Sequence, residues 1–212
     1  MAATQNKPVS HPRRAPAIRS RKVLARRERI YANLLTEGAK RFAERGVDEV
    51  SVAELIDAVG ISRRTFYGFF ENKHQLAAAL LKPVLRLGSR RLRELAAGPV
   101  DQILPGVARL YLELWSAHSE ALAIVSQLGA ETFPYLETDH RRFGRALKTA
   151  LQRCERAGLL LTDDAEQSFR VLSRTAVPLL RIYARRDDLE SVYTASLLGL
   201  LRKPAHSDAR RA

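Results

Sequence analysis

The sequence predicts an all-α fold, a three-helix head followed by a larger helical domain. Three observations carry this. Apolar residues recur at helical spacing from about Val23 almost to the C-terminus. Strand-like alternation bounded by turn residues is missing. Capping signals at Ser51, Ser62 and Asn72 start helices in close succession.

Residues 1–20 hold Pro8, Pro12 and Pro16 among many charges and read as a disordered basic arm. The first helix runs to about Arg45, with Leu35, Ala39 and Phe42 at i, i+4 and i+7, and Gly46 ends it. Ser51-Val52-Ala53-Glu54 is a capping box, in which the hydroxyl and the carboxylate each accept an orphan N–H. Val52, Leu55, Ile56 and Val59 give the second helix one apolar face, and Gly60 supplies the permissive backbone for a tight turn. Ser62 caps a short helix from Arg63 to about Phe69, and Asn72 with Gln75 opens a fourth. That helix runs toward Ala97, kinked at Pro83 and broken by Gly98-Pro99.

Further helices are predicted over 100–117, 119–129 and 136–157. Asp163 with Glu166 opens another at about 163–186, bent where Pro178 cannot donate to the carbonyl of Arg174. Asp187 with Glu190 opens the last, at about 188–202. The expected domains are the arm at 1–20, the head at 21–75, the larger domain at 76–204 and a tail at 205–212.

The chain carries 36 Lys and Arg against 23 Asp and Glu, a net +13. Residues 1–29 hold nine basic residues and one acid, so +8 of that excess lies in and just after the arm. Such a balance predicts an anionic partner, whether nucleic acid, a membrane surface or an acidic protein. No apolar run approaches the roughly 18 residues a membrane span needs, and the N-terminus lacks a secretory apolar stretch. Its Arg-rich, acid-poor character resembles an organellar transit peptide; the motif described next favours a soluble, cytoplasmic protein without membrane contact.

Cys154 stands alone, which excludes an internal disulfide and a multi-cysteine metal site. His11, His74, His118, His140 and His206 are scattered outside metal-ligand spacing. No catalytic set, metal or cofactor is predicted.

Two short helices joined by a glycine-containing turn form a helix-turn-helix. The second must present cationic and polar groups near its N-terminus, where base edges and phosphates lie. In the stretch Ile61 to Phe70, Ile61, Phe66 and Phe70 can pack inward while Arg63, Arg64, Thr65 and Tyr67 face outward. An Arg pair can equally be a plain solvated face, and Ser51 and Ser62 plain caps; the surrounding motif favours DNA contact.

Arg29 to Leu76 resembles the N-terminal domain of the tetracycline-repressor (TetR) family of bacterial regulators. The matching landmarks are Ala39, Phe42, Gly46, Ser51-Val52, Leu55, Gly60-Ile61-Ser62, Thr65-Phe66-Tyr67, Phe70, Lys73 and Leu76. Arg64 departs from the small residue often found there, and Gly68 from a bulky one. The resemblance implies a double-stranded DNA operator as partner. It implies phosphate contacts from Ser51, Tyr67 and Lys73, Ser62 at the turn, and base reading by Arg63, Arg64 and Thr65. The arm then either enters a minor groove or adds non-specific phosphate attraction.

The resemblance further implies a homodimer, with the last two helices of each subunit packed together. Leu179, Ile182, Tyr183, Tyr193, Leu197, Leu198 and Leu201 are the expected interface; the alternative is that they fill the protomer's own core. A two-fold dimer places two recognition helices about 34–36 Å apart on a near-palindromic operator. It also implies a small-molecule effector within the larger domain. Tyr111, Trp115, His118, Phe133, Tyr135 and Phe143 are the expected lining, suited to an apolar or aromatic ligand. The expected function is a repressor released by such a ligand; the alternative is a DNA-binding regulator or activator with no effector.

Overall fold

The computed structural model describes residues 17–125 and 128–204, with side chains from Arg21 onward. Most of the expected arm and the tail at 205–212 lie outside the described residues. Where the arm enters the described range it is helical, because the first helix already begins at Ala17.

The described residues form eight α-helices: α1 Ala17–Arg45, α2 Val52–Val59, α3 Arg63–Tyr67, α4 Lys73–Ala97, α5 Ile103–Val125, α6 Phe133–Arg156, α7 Ala165–Tyr183 and α8 Leu189–Leu201. They contain no strand; one isolated antiparallel bridge joins Leu160 to Arg202. The chain is thus all-α, a helix-turn-helix head ahead of a larger helical domain.

The head follows its caps. Gly46 sits at φ +90°, and its N–H donates to the Phe42 carbonyl at 2.9 Å, ending α1. The Ser51–Glu54 box is complete at the start of α2, and Gly60 closes that helix in the left-handed region. Leu34, Phe42, Leu55, Phe66 and Phe70 fill the core beneath the turn. Recognition helix α3 stops at Tyr67, two residues short of expectation, with Gly68 as its cap.

In the larger domain α4 packs most extensively against α6 and then α5. Gly88 permits that approach: a Cβ there would stand 2.6 Å from the Phe143 ring. Helix α4 continues past Pro83 as one element. The two helices expected over 100–117 and 119–129 are a single span, α5, preceded by a 3-10 turn at Val100–Gln102. Their expected boundary survives as a break at His118 (φ −145°, ψ 37°).

Two expected caps are displaced by one residue. Asp164, not Asp163, accepts the N–H groups of Glu166 and Gln167 at 2.7 and 3.0 Å. Asp163 occupies the preceding turn at φ +52° and binds Lys203 Nζ at 2.6 Å. Before α8 the cap position falls to Asp188 rather than Asp187. Its carboxylate is held by Arg186 at 2.7 and 2.9 Å, so it caps nothing with its side chain.

Three residues expected at a dimer interface lie elsewhere. Tyr193, Leu197 and Leu201 are buried within the protomer at 0, 0 and 1% exposure. Helix α8 packs on both α5 and α7, and that side takes its largest side chains. Cys154 is likewise buried, and burial pushes its thiol up to about 11, so it acts as a small apolar side chain.

Candidate nucleic-acid interface and core cavity

At the start of α3, Ser62 Oγ accepts the Thr65 N–H at 3.2 Å and lies 2.9 Å from Thr65 Oγ1. The two hydroxyls hold each other, so both stand at the helix entrance in fixed positions. Arg63 and Arg64 are exposed and make no ion pair among the described residues. Tyr67 is exposed while its ring edge packs on Phe66, centroids 5.5 Å apart at 89°. The outer face of α3 therefore carries two free guanidinium groups and a phenol, supported from behind by an apolar layer. That combination can fork onto guanine edges or phosphates.

The flanking elements fix α3 in place. Arg27 of α1 donates to the Gly68 carbonyl at 3.3 Å and stands over the Phe69 ring at 4.9 Å. Tyr31 stacks on Phe70 at 5.5 Å. Arg45 reaches Glu54 at 2.8 Å and the Glu49 carbonyl at 2.9 Å, joining the end of α1 to the cap of α2. Hydrogen bonding from Arg45, then from the Ser51 backbone, lowers the Glu54 carboxyl to about 2. Ser51 is exposed beside it. Lys73 opens α4, and its Nζ donates to the Asp48 carbonyl at 2.5 Å. Arg27 and Arg45 were not singled out from sequence, since a basic residue on a helix gives no sign of which carbonyl it will reach.

A polar junction links the head to the larger domain. Asn72 caps α4 through Oδ1, accepting the Gln75 N–H, and its Nδ2 donates to Tyr135 Oη at 2.9 Å. Tyr135 Oη in turn donates to Glu71 at 3.2 Å. His74 is buried, with Nε2 2.7 Å from Glu131 and Nδ1 3.0 Å from Thr132 Oγ1. Tyr135, expected to line a ligand site, is thus part of the tie between α4 and α6.

Beyond this junction, α4, α5, α6 and α7 enclose a largely apolar cavity of about 340 Å³. Tyr111 and Phe143 line it, with Leu114, Leu122, Phe169 and Val177 among the other walls. Trp115, His118 and Phe133 are not in its lining. Phe133 is exposed and packs edge-on against His140, while His118 marks the α5 break. The lining also includes the polar residues Tyr111, His140, Ser173 and Arg174, with the Ser173 hydroxyl donating to the Phe169 carbonyl at 2.8 Å. Burial drives the Tyr111 phenol up, so it is a neutral donor at any physiological pH. Pro178 lies in the wall beside Arg174, whose carbonyl it leaves without the usual helical donor. The α7 contributors escaped notice because Phe169, Leu172, Ala176 and Val177 share the spacing of an ordinary core face.

Residues 34–80 match the family described as bacterial regulatory proteins, tetR family. The HTH-type transcriptional repressor KstR2 of Rhodococcus jostii (strain RHA1) is 30% identical over 158 residues, covering 71% of this chain and 78% of the relative. The ketosteroid transcriptional regulator KstR2 of Mycobacterium tuberculosis superposes with a TM-score of 0.65 at 22% identity, over 82% of this chain and 95% of that one. The SmeT–triclosan complex superposes with a TM-score of 0.62 at 17% identity, over 83% and 93%; SmeT is a multidrug-efflux repressor of Stenotrophomonas maltophilia.

Proposed function

Because the chain belongs to the TetR family of bacterial regulators and is a DNA-binding transcriptional regulator, we propose that it is a dimeric repressor released from a near-palindromic operator by a small, largely apolar ligand. One observation carries the ligand part of this reading. A largely apolar cavity of about 340 Å³, with four polar residues in its lining, lies against α4, the helix that opens at the DNA-binding head. Ligand sites typically enclose about 300 Å³ or more, and a solid core would have favoured a regulator without effector. Occupancy that favours one position of α4 over another shifts the population of heads able to engage both half-sites. SmeT, a chain of the same fold, forms a complex with triclosan, which is a precedent for binding a small apolar molecule.

In this reading residues 21–75 are the head and 76–204 the effector and dimer domain, with α4 shared between them. Arg63, Arg64 and Thr65 read bases, with Ser62 fixing the helix entrance. Ser51, Tyr67 and Lys73 hold phosphates, Lys73 by leaving the Asp48 carbonyl. Two copies meet through α7 and α8, using Leu179, Ile182, Tyr183 and Leu198 rather than the buried Tyr193, Leu197 and Leu201.

Selection of bound fragments from the source genome, followed by a metabolite screen for release, tests the whole reading. Enrichment of a near-palindromic site is expected; its absence overturns the proposal. An Arg64→Ala variant scored across operator mutants tests the residue assignment. It should lose discrimination at one base pair, worth about 1–3 kcal/mol for a bidentate guanine contact. Equal weakening on every sequence would make Arg64 a phosphate contact.

A further inference from the structure

The cavity adjoins a basic groove. His140, Gly144 and Phe169 line both the cavity and an adjoining surface groove of about 510 Å³, so one opens beside the other. The groove's remaining wall is Thr138 and four cations of α6: Arg141, Arg142, Arg145 and Lys148. Two of these have acidic partners, Arg141 with Glu137 at 3.3 Å and Lys148 with Glu166 at 2.8 Å. Arg142 and Arg145 have none among the described residues, and both also border a further groove of about 620 Å³ between α4 and α6. Arg174 of α7 is in the cavity lining itself and has no ion pair among the described residues.

Exposed cations on a helix are ordinarily a solvated face. What sets these apart is their position: among the described residues two unpaired guanidinium groups line the groove that shares three residues with the apolar cavity, and a third residue with no ion pair, Arg174, is in the cavity lining. A neutral ligand would leave them unaddressed, and a cationic one would meet like charge. A planar guanidinium fork matches phosphate and carboxylate oxygens, while the cavity walls can accept only the apolar part. Gly144 keeps the passage open: a Cβ there would already touch the Phe169 ring at 3.7 Å, so a large side chain would fill the mouth.

The geometry points to an amphipathic anion as the ligand, its apolar body in the cavity and its phosphate or carboxylate head on Arg142 and Arg145, with Arg174 in the cavity lining. This rests on the reading of the cavity as the effector site. Octyl phosphate and octanol serve as probes, each titrated calorimetrically into the full chain. Octyl phosphate should bind about tenfold tighter than octanol or better, as charge-assisted bidentate contacts imply. The double variant R142S/R145S should erase that preference while leaving octanol affinity unchanged, and Gly144→Leu should remove both ligands without unfolding the protein.

Equal affinity for the two probes, or a preference that survives R142S/R145S, overturns the anion site while leaving the cavity reading intact. Failure of both probes to bind, or binding that ignores Gly144→Leu, overturns the cavity reading itself. Sedimentation with phosphatidylglycerol vesicles separates the sources of such an anion. Retention on vesicles through the same two arginines would assign the groove to a lipid surface and overturn a soluble ligand.

Discussion

The carboxylate of Glu54 accepts the Ser51 N–H at 2.7 Å and pairs with Arg45 at 2.8 Å, so one side chain caps α2 and ties it to α1. Its value is lowered from 4.5 to about 2. A depressed folded value means that the stabilisation is complete above the ordinary carboxylate range and is lost as pH falls toward about 2. Glu54→Gln keeps a capping-box side chain but removes the charge. The melting temperatures of parent and variant should therefore differ at neutral pH and converge between about pH 4.5 and 2. A gap that persists unchanged to pH 2 would show that the charge is not its source.

Gly60 sets the angle between α2 and α3 at φ +67°, and a Cβ built there meets nothing within 4 Å. The only penalty for a side chain is thus the intrinsic one of the left-handed region, about 1–2 kcal/mol. Gly60→Ala should lose that much in urea denaturation, and Gly60→Asn less. An alanine variant as stable as the parent would refute the argument.

Between elements, the first turn of α4 is held to the start of α6 by side chains rather than by apolar packing alone. Thr132 stands at the α6 cap position without capping it, because its hydroxyl faces His74. Tyr135→Phe keeps the ring and deletes the bonds to Asn72 and Glu71, each worth about 1 kcal/mol net. Amide hydrogen exchange over residues 71–76 should quicken in that variant while exchange in the α7 core does not change. Unaltered exchange at 71–76 would mean that the tie does not hold the head.

The caps at Ser51, Ser62 and Asn72 were legible in sequence because a cap is local, decided within three residues. The tie through Tyr135 was not, since its partners lie 63 and 64 positions away. The same reason separates Tyr111 and Phe143, which reach the cavity, from Trp115 and Phe133, which do not. Helical spacing says that a residue is apolar-facing, not which of two apolar neighbours it faces. On α8 the resemblance implied a subunit interface at Tyr193, Leu197 and Leu201, with the protomer's own core as the alternative, and these three are buried within the protomer.

For the whole molecule, what those three residues leave outward is the informative part of α7 and α8. Ile182 is 71% exposed and Leu200 42%. Gly199 lies within α8 facing open space, where glycine weakens a helix by about 1 kcal/mol relative to alanine. A protomer on its own gains nothing from an exposed isoleucine on α7 and an exposed glycine within α8. A second copy laid against this face gains apolar burial and close backbone approach. Ile182→Glu places a charge at the centre of that contact and removes nothing from the protomer's own packing. The parent should sediment as a dimer and melt at a temperature that rises with concentration. The variant should sediment as a monomer of unchanged helix content, with a melting temperature independent of concentration. Its affinity for a full operator should fall toward that for a half-site, because two heads bind together only when joined. A variant that stays dimeric would place the subunit contact away from Ile182.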